Sequence, residues 1–296
     1  MSFKVLVSDP LAKEGVDILK GFCDVDEKAD LSEDELVKII GGYDALIVRS
    51  GTQVTARIIE AADKMKYIGR AGVGVDNIDC DAATKKGIIV SNAPEGNTLA
   101  ATEHTIAMMM ALARNIPQAT ASLKNGEWKR SNFMGNEMNG KVLGVVGFGR
   151  IGCEVAKRAQ ALQMNVIAYD PFIPAEIGAA MGVEMMPVAE LFTKADVITV
   201  HTPLIPSTTH LVNKEAIATM KNGVRLINCA RGGIIDESAL YEAITSGKVA
   251  GAALDVFEQE PPTDSPLLSL DKVIVTPHLG ASTVEAQTDV AISVAQ

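Results

Sequence analysis

Three residues of this sequence have side chains suited to chemistry on a small anionic molecule: Arg231, Glu260 and His278. They stand in segments that read as the ends of strands: Asn228-Cys229-Ala230-Arg231-Gly232-Gly233, Asp255-Val256-Phe257-Glu258-Gln259-Glu260-Pro261-Pro262 and Thr276-Pro277-His278-Leu279-Gly280. Moving hydride to or from a secondary alcohol needs a proton partner, and histidine titrates near neutral pH. A carboxylate beside it favours the imidazolium and holds the ring in one orientation. An arginine grips a carboxylate through two parallel hydrogen bonds, which lysine cannot imitate. Taken singly, each has a plainer reading: a surface ion pair for Arg231, a solvated loop residue for Glu260, a structural histidine for His278.

A second constellation lies upstream. The apolar run Val142-Leu143-Gly144-Val145-Val146 leads into Gly147-Phe148-Gly149-Arg150-Ile151-Gly152, and residues 154–162 read as a helix. In such a motif the first glycine permits a tight turn, the second lets backbone approach a pyrophosphate, and the third allows close helix–strand packing. The helix start adds free N–H groups and the positive end of its dipole. Asp170 closes the next strand, 18 residues after Gly152, near the ~20 expected for the carboxylate that takes the adenosine ribose hydroxyls. An acid there repels a 2′-phosphate, and Pro171-Phe172-Ile173-Pro174 offers no arginine to receive one. The pattern predicts NAD rather than NADP.

These groups need a scaffold of strands and helices. Short apolar, β-branched runs occur at 3–8, 44–48, 88–90, 142–146, 166–169, 197–200, 225–228 and 274–276, with helix-like stretches between them. Continuous apolar strands alternating with helices predict an α/β fold whose parallel sheets are covered on both faces. Leu31-Ser32 followed by Glu33, Asp34 and Glu35 marks a helix start, with a capping residue and early acids at the positive dipole end. Thr98–Arg114 reads as a long apolar helix whose methionines serve packing, at an inter-domain or dimer interface, rather than ligand binding. At 296 residues the chain exceeds the roughly 100–200 of one domain. Pro94 and Gly96, between a strand and that helix, make residues 92–97 a hinge, and similar strand–helix alternation on either side places a boundary at Asn97.

Hydrophobic residues make up 47% of the chain and charged ones 22%, as in an ordinary globular protein. A net charge of -10 argues against a basic face for nucleic acid or an anionic membrane. No apolar stretch approaches a membrane span and no signal segment opens the chain, so a cytoplasmic location is expected. Cys23, Cys80, Cys153 and Cys229 show no metal-ligand or disulfide spacing, and no metal site is expected.

Together the motifs GRAGVGVDNID, GFGRIG, HTPLIPSTTHLVN, NCARGGIIDESAL, GAALDVFEQEPP and TPHLGAST resemble those of the D-2-hydroxyacid dehydrogenase family over nearly the whole chain. The resemblance implies two Rossmann-like parallel-sheet domains, with a dinucleotide-binding domain (98–282) inserted into a flavodoxin-like substrate domain (1–97 and 283–296), a catalytic cleft between them and closure on ligand binding. Arg231 would bind the substrate carboxylate and polarise its carbonyl or hydroxyl, His278 would be the general acid/base, and Glu260 its partner. Gly147, Gly149, Arg150, Ile151 and Gly152 would meet the pyrophosphate and Asp170 the ribose. Thr202, Cys229, Ala230, Arg231, Asp255, His278, Gly280 and Ala281 would line the rest of the NAD site, with Asp255 near the nicotinamide end. Cys229 is a space-filling neighbour there, because hydride transfer needs no covalent intermediate.

The small residues of Arg70-Ala71-Gly72-Val73-Gly74, after an apolar strand, can present successive N–H groups to an anion. In the family this resembles the loop that binds the substrate carboxylate. By similarity to the phosphoglycerate branch, Arg49-Ser50 and Arg70 would meet a phosphate, Arg130 would reach across a dimer interface, and the chain would form a homodimer or a dimer of dimers. Three arginines make a phosphorylated hydroxy acid, D-3-phosphoglycerate, the expected substrate. Val73 stands where some of that branch carry threonine, which removes one hydroxyl contact to the cofactor. Glycerate or hydroxypyruvate is the main alternative. Lactate and formate fit less well, since the cations would be superfluous and formate enzymes carry glutamine where Glu260 stands. An NADH-responsive scaffold that binds peptides is the alternative from another class of function. The chain ends before the regulatory domain that many of the phosphoglycerate branch carry, so it is expected to be a catalytic core.

Overall fold

A computed structural model describes residues 2–296. The chain divides into two compact units, one comprising the residues up to Asn97 together with Ala281–Gln296, the other Thr98–Gly280. The return to the first unit falls at Ala281, two residues before the 283 read from the sequence.

The first unit carries β1 (Lys4–Val7), β2 (Asp24–Glu27), β3 (Ala45–Val48), β4 (Tyr67–Arg70) and β5 (Ile89–Asn92), all parallel, in the order β2-β1-β3-β4-β5. This is the flavodoxin-like order, with its reversal between β1 and β3. Ala45, Leu46, Ile47 and Val48 are all buried, as a strand covered on both faces requires. At the edge, β2 has the sequence Asp-Val-Asp-Glu and no buried residue. Helix Glu33–Ile39 starts with the capping box expected at Ser32: its hydroxyl accepts from Glu35 N, and Glu35 Oε2 accepts from Ser32 N at 2.9 Å. The last helix, Val284–Ala295, packs against Lys13–Lys20, and its Val290, Val294 and Ala295 share a core with Val5, Val7 and Ile47.

In the second unit β6 (Val142–Val146), β7 (Asn165–Tyr169), β8 (Glu184–Met185), β9 (Val197–Val200), β10 (Val224–Asn228), β11 (Val249–Leu254) and β12 (Val273–Val275) pair in parallel in the order β12-β11-β10-β9-β6-β7-β8. This is the doubly wound dinucleotide-binding order extended by one strand, with its reversal between β6 and β9. The Thr98–Arg114 helix packs on this sheet, burying Met108 and Met109 among Leu143, Val145 and Phe148. Among the described residues no helix is long and apolar enough to cross a membrane.

Candidate active site

The glycine turn follows β6. Gly147 has φ 95°, the left-handed region, and a Cβ there would stand 2.7 Å from the His201 carbonyl carbon. A Cβ on Gly152 would stand 2.1 Å from Gly147 O, so only glycine lets helix Arg150–Ala161 start this close to the strand. Around Gly149 nothing lies within 4 Å of a Cβ, which leaves open space over the helix start, where Arg150 is exposed and Ile151 half-buried. Asp170, at the end of β7, accepts from Phe148 N and from Phe172 N, each at 2.9 Å, so the turn itself fixes this carboxylate. Across the strand reversal, Thr202 Oγ1 is buried without a hydrogen-bond partner. An open glycine cradle, a helix start, a fixed carboxylate and an orphaned hydroxyl fit a dinucleotide. His201, beside them, meets Thr199 Oγ1 through Nε2 at 2.9 Å, and burial pushes its pKa down to about 4, which keeps the ring neutral.

The proposed acid–base group assembles at the ends of β10, β11 and β12. His278 Nδ1 meets Glu260 Oε2 at 2.8 Å, while Glu260 Oε1 accepts from Phe257 N at 3.1 Å. The Glu260 hydrogen bond raises the His278 pKa above the usual 6.5, against burial and Arg231, which lower it; Asp255 adds to the rise. Burial pushes the Glu260 carboxyl up, but the His278 contacts and the Phe257 amide outweigh it, so the net shift is downward. With Nδ1 given to the carboxylate, Nε2 is the nitrogen left for a substrate. Behind the pair lies an apolar cavity of about 310 Å³ walled by Phe257, Pro261, Pro262, Leu268 and Val275. Arg231 is held by its own loop: Asn228 Nδ2 donates to Arg231 O at 2.8 Å, and Arg231 Nη1 donates to Ala230 O at 2.7 Å. That loop touches the glutamate's loop at Gly232, where a Cβ would lie 1.7 Å from Phe257 O.

His278 has φ 54°, a left-handed conformation uncommon for a side chain of this size. Its amide donates to Asp255 O at 2.9 Å, and the Asp255 carboxylate accepts from Leu279 N at 2.7 Å and Gly280 N at 2.8 Å. Burial raises the Asp255 pKa, and hydrogen bonds from His104, Thr276 and Leu279 more than reverse it. Cys229 adjoins this group, and burial together with Asp255 pushes its thiol up to about 12, so it stays protonated. His104 escaped the sequence reading; the visible signal is a titratable residue inside the apolar run Thr98–Arg114.

In the first unit the predicted residues also gather at strand ends. After β3, Arg49 N and Thr52 N donate to Asp9 Oδ2 at 2.5 and 3.1 Å, beside the β1/β3 reversal. Asp9 is buried and was not foreseen; Arg49 is half-buried and Ser50 exposed. After β4 the guanidinium of Arg70 lies over Gly72, where a Cβ would meet Nη1 at 1.5 Å. Asn92, ending β5, donates to Val73 O at 2.5 Å, and Gly74 is half-buried. Ala281 opens the returning segment of this unit. Arg130 stands apart, on the exposed turn Arg130–Phe133. Its neighbours Lys129, Asn132 and Phe133 line a groove with Arg225 and Lys272, at the starting ends of β10 and β12. It is therefore on the opposite edge of the sheet from Arg231 and His278, and does not join them within one chain.

The chain is similar to known proteins in both sequence and fold. Residues 106–280, more than half of the chain, match the family described as D-isomer specific 2-hydroxyacid dehydrogenase, NAD binding domain. The chain is 57% identical over 285 residues to a D-3-phosphoglycerate dehydrogenase from Methanocaldococcus jannaschii, covering 96% of this chain and 54% of that protein. It thus spans about half the length of the curated relatives it matches. Among solved structures, a glyoxylate reductase from Paecilomyes thermophila superimposes with TM-score 0.90 at 33% identity, covering 99% of this chain and 93% of that one. A D-lactate dehydrogenase from Aquifex aeolicus complexed with NAD and lactic acid gives TM-score 0.87 at 31% identity, with coverage of 99% and 93%. A dinucleotide cradle, two parallel sheets and a family match over more than half of the chain lead to one assignment: the chain belongs to the D-isomer specific 2-hydroxyacid dehydrogenase family, and residues 106–280 are its NAD-binding domain.

Proposed function

We propose that this chain catalyses the reversible, NAD-dependent oxidation of D-3-phosphoglycerate to 3-phosphohydroxypyruvate, the opening step of serine biosynthesis. The observation that carries the reading is the His278–Glu260 pair at 2.8 Å, on the same sheet edge as the glycine cradle. The phosphorylated substrate is supported by Arg49 and Arg70 at strand ends of the first unit, and by the name of the 57%-identical relative. NAD, when bound, supplies the hydride acceptor. Gly147, Gly149, Arg150, Ile151 and Gly152 hold its pyrophosphate and Asp170 its ribose. Thr202, Cys229, Ala230, Asp255, Gly280 and Ala281 line the remainder. Arg231 grips the substrate carboxylate and polarises the neighbouring oxygen. His278 Nε2 takes the hydroxyl proton during oxidation and returns it during reduction, and Glu260 balances the imidazolium. Ser50, Gly72, Val73 and Gly74 add backbone contacts for the anion.

A second copy of the chain is the proposed partner, through the exposed apolar residues Ile116, Leu123, Trp128 and Met134. Arg130 belongs to this face, at the opposite strand ends from Arg231 and His278. Four free cysteines suit a reducing compartment, and we place the protein in the cytoplasm. The test is NAD reduction with 3-phosphoglycerate, glycerate and lactate side by side, with each keto acid and NADH in reverse, repeated on Arg49→Ala. Preference for the phosphorylated acid, lost in the variant, is expected. A preference for glycerate or hydroxypyruvate would reassign the substrate and leave the His278 mechanism in place.

A further inference from the structure

The Asp255 carboxylate is fully buried, and its contacts determine where protons sit. Thr276 Oγ1 lies 2.5 Å from Asp255 Oδ1, and an ionised carboxylate only accepts, so the threonine proton points there. The same hydroxyl is 3.0 Å from His104 Nε2 and has no second proton to give. His104 must therefore be the donor, and its Nε2 also lies 3.2 Å from Asp255 Oδ1, within reach of the same proton. Both oxygens of Asp255 are then engaged, Oδ1 by Thr276, His104 and Leu279 N, and Oδ2 by Gly280 N. His104 rides on the Thr98–Arg114 helix, with Ala100 and Met108 buried one turn to either side, so its position is fixed by the core.

We propose that His104 is a positioning residue for the acid–base pair: its Nε2 proton orients the Asp255 carboxylate, which in turn fixes the His278–Gly280 turn. The proposal deepens the dehydrogenase reading and rests on it only for the catalytic consequence. His278 holds a left-handed conformation that needs imposed contacts, and the amides of the turn donate to Asp255 and Thr276. The charged groups acting on His278 are Glu260, Asp255 and Arg231, so a displaced Asp255 also alters the field at the imidazole.

The test compares His104→Gln, whose amide nitrogen reaches where Nε2 stood, with His104→Asn, whose amide stops short. Both are read in the full chain without substrate, by NMR titration of His278 and by amide exchange at Leu279 and Gly280. In the asparagine variant, exchange at those amides should quicken about tenfold, and the His278 midpoint should fall toward 6.5. The glutamine variant should stay close to wild type in both. With NAD and the preferred substrate, kcat of the asparagine variant should fall about tenfold, while the glutamine variant keeps it. Should His104→Asn fail to fold, Thr276→Val, which removes the relay hydroxyl and leaves the histidine, takes its place with the same expected shifts. Asparagine and glutamine variants that behave alike, or exchange and titration unchanged in His104→Asn, would overturn the proposal. Because those readouts need no substrate, they stand even if phosphoglycerate proves the wrong acid.

Discussion

With Glu260 at its Nδ1, His278 stays imidazolium at pH values where a free histidine has already lost its proton. In the proposed reaction oxidation requires the ring to take a proton, so its rate should climb as pH rises through the elevated His278 pKa; keto-acid reduction should fall over the same range. Glu260→Gln removes the anion and lowers that pKa, so the oxidative limb should move to lower pH, and reduction should weaken near neutrality. Unshifted profiles would separate the pair from the chemistry. The same coupling bears on stability. His278, raised in the folded state, contributes below its unfolded value of 6.5, and the contribution is lost as pH rises through the folded one. Glu260, lowered, contributes above 4.5, and the contribution is lost as pH falls through its folded value. Both side chains are partly exposed, 47% for His278 and 39% for Glu260, so solvent screening holds the gain under about 1 kcal/mol. The melting-temperature gap between wild type and Glu260→Gln should be widest between those two values and close at alkaline pH. Arg231, Glu260 and His278 were legible because their motifs carry them. Asp9 and His104 were not, since each acts through partners 40 to 172 residues away, a pairing that only folding reveals.

At the scale of elements, strand ends do the positioning. The Arg231 loop after β10 and the Glu260 loop after β11 meet at Gly232, against the backbone of Phe257. Alanine at 232 would push the loops apart by an ångström or more, a misplacement that can cost on the order of a hundredfold in rate. Gly232→Ala should therefore lose kcat with nicotinamide-cofactor affinity largely kept, which cofactor fluorescence and steady-state kinetics would check; equal rates would show that the loops can shift freely. The apolar central strands were readable as runs, because cover on both faces demands them. The edges were not: β2 is acidic and exposed, and β8 has two residues. The inner strand β11, Val-Ala-Gly-Ala-Ala-Leu, was visible only as a lead-in to its motif, because small residues there accommodate tight neighbours instead of signalling a strand.

For the molecule as a whole, the exposed side chains of Ile116, Leu123, Trp128 and Met134 predict self-association. Sedimentation velocity at micromolar concentration should show a dimer, and Leu123→Glu should shift it toward monomer without changing the far-UV circular dichroism; a wild-type monomer would remove this face as an interface. The first unit draws its core from both ends of the sequence, and this bears on synthesis. Val5, Val7 and Ile47 find their covering residues Val290, Val294 and Ala295 only when the final helix has been made. The second unit, uninterrupted from Thr98 to Gly280, meets no such delay. At translation speeds of roughly 5–20 residues per second, the early strands wait on the order of ten to sixty seconds with an uncovered apolar face. On the ribosome, then, the younger unit matures before the older one, and nascent chains stalled ahead of residue 284 should be the form that recruits chaperones.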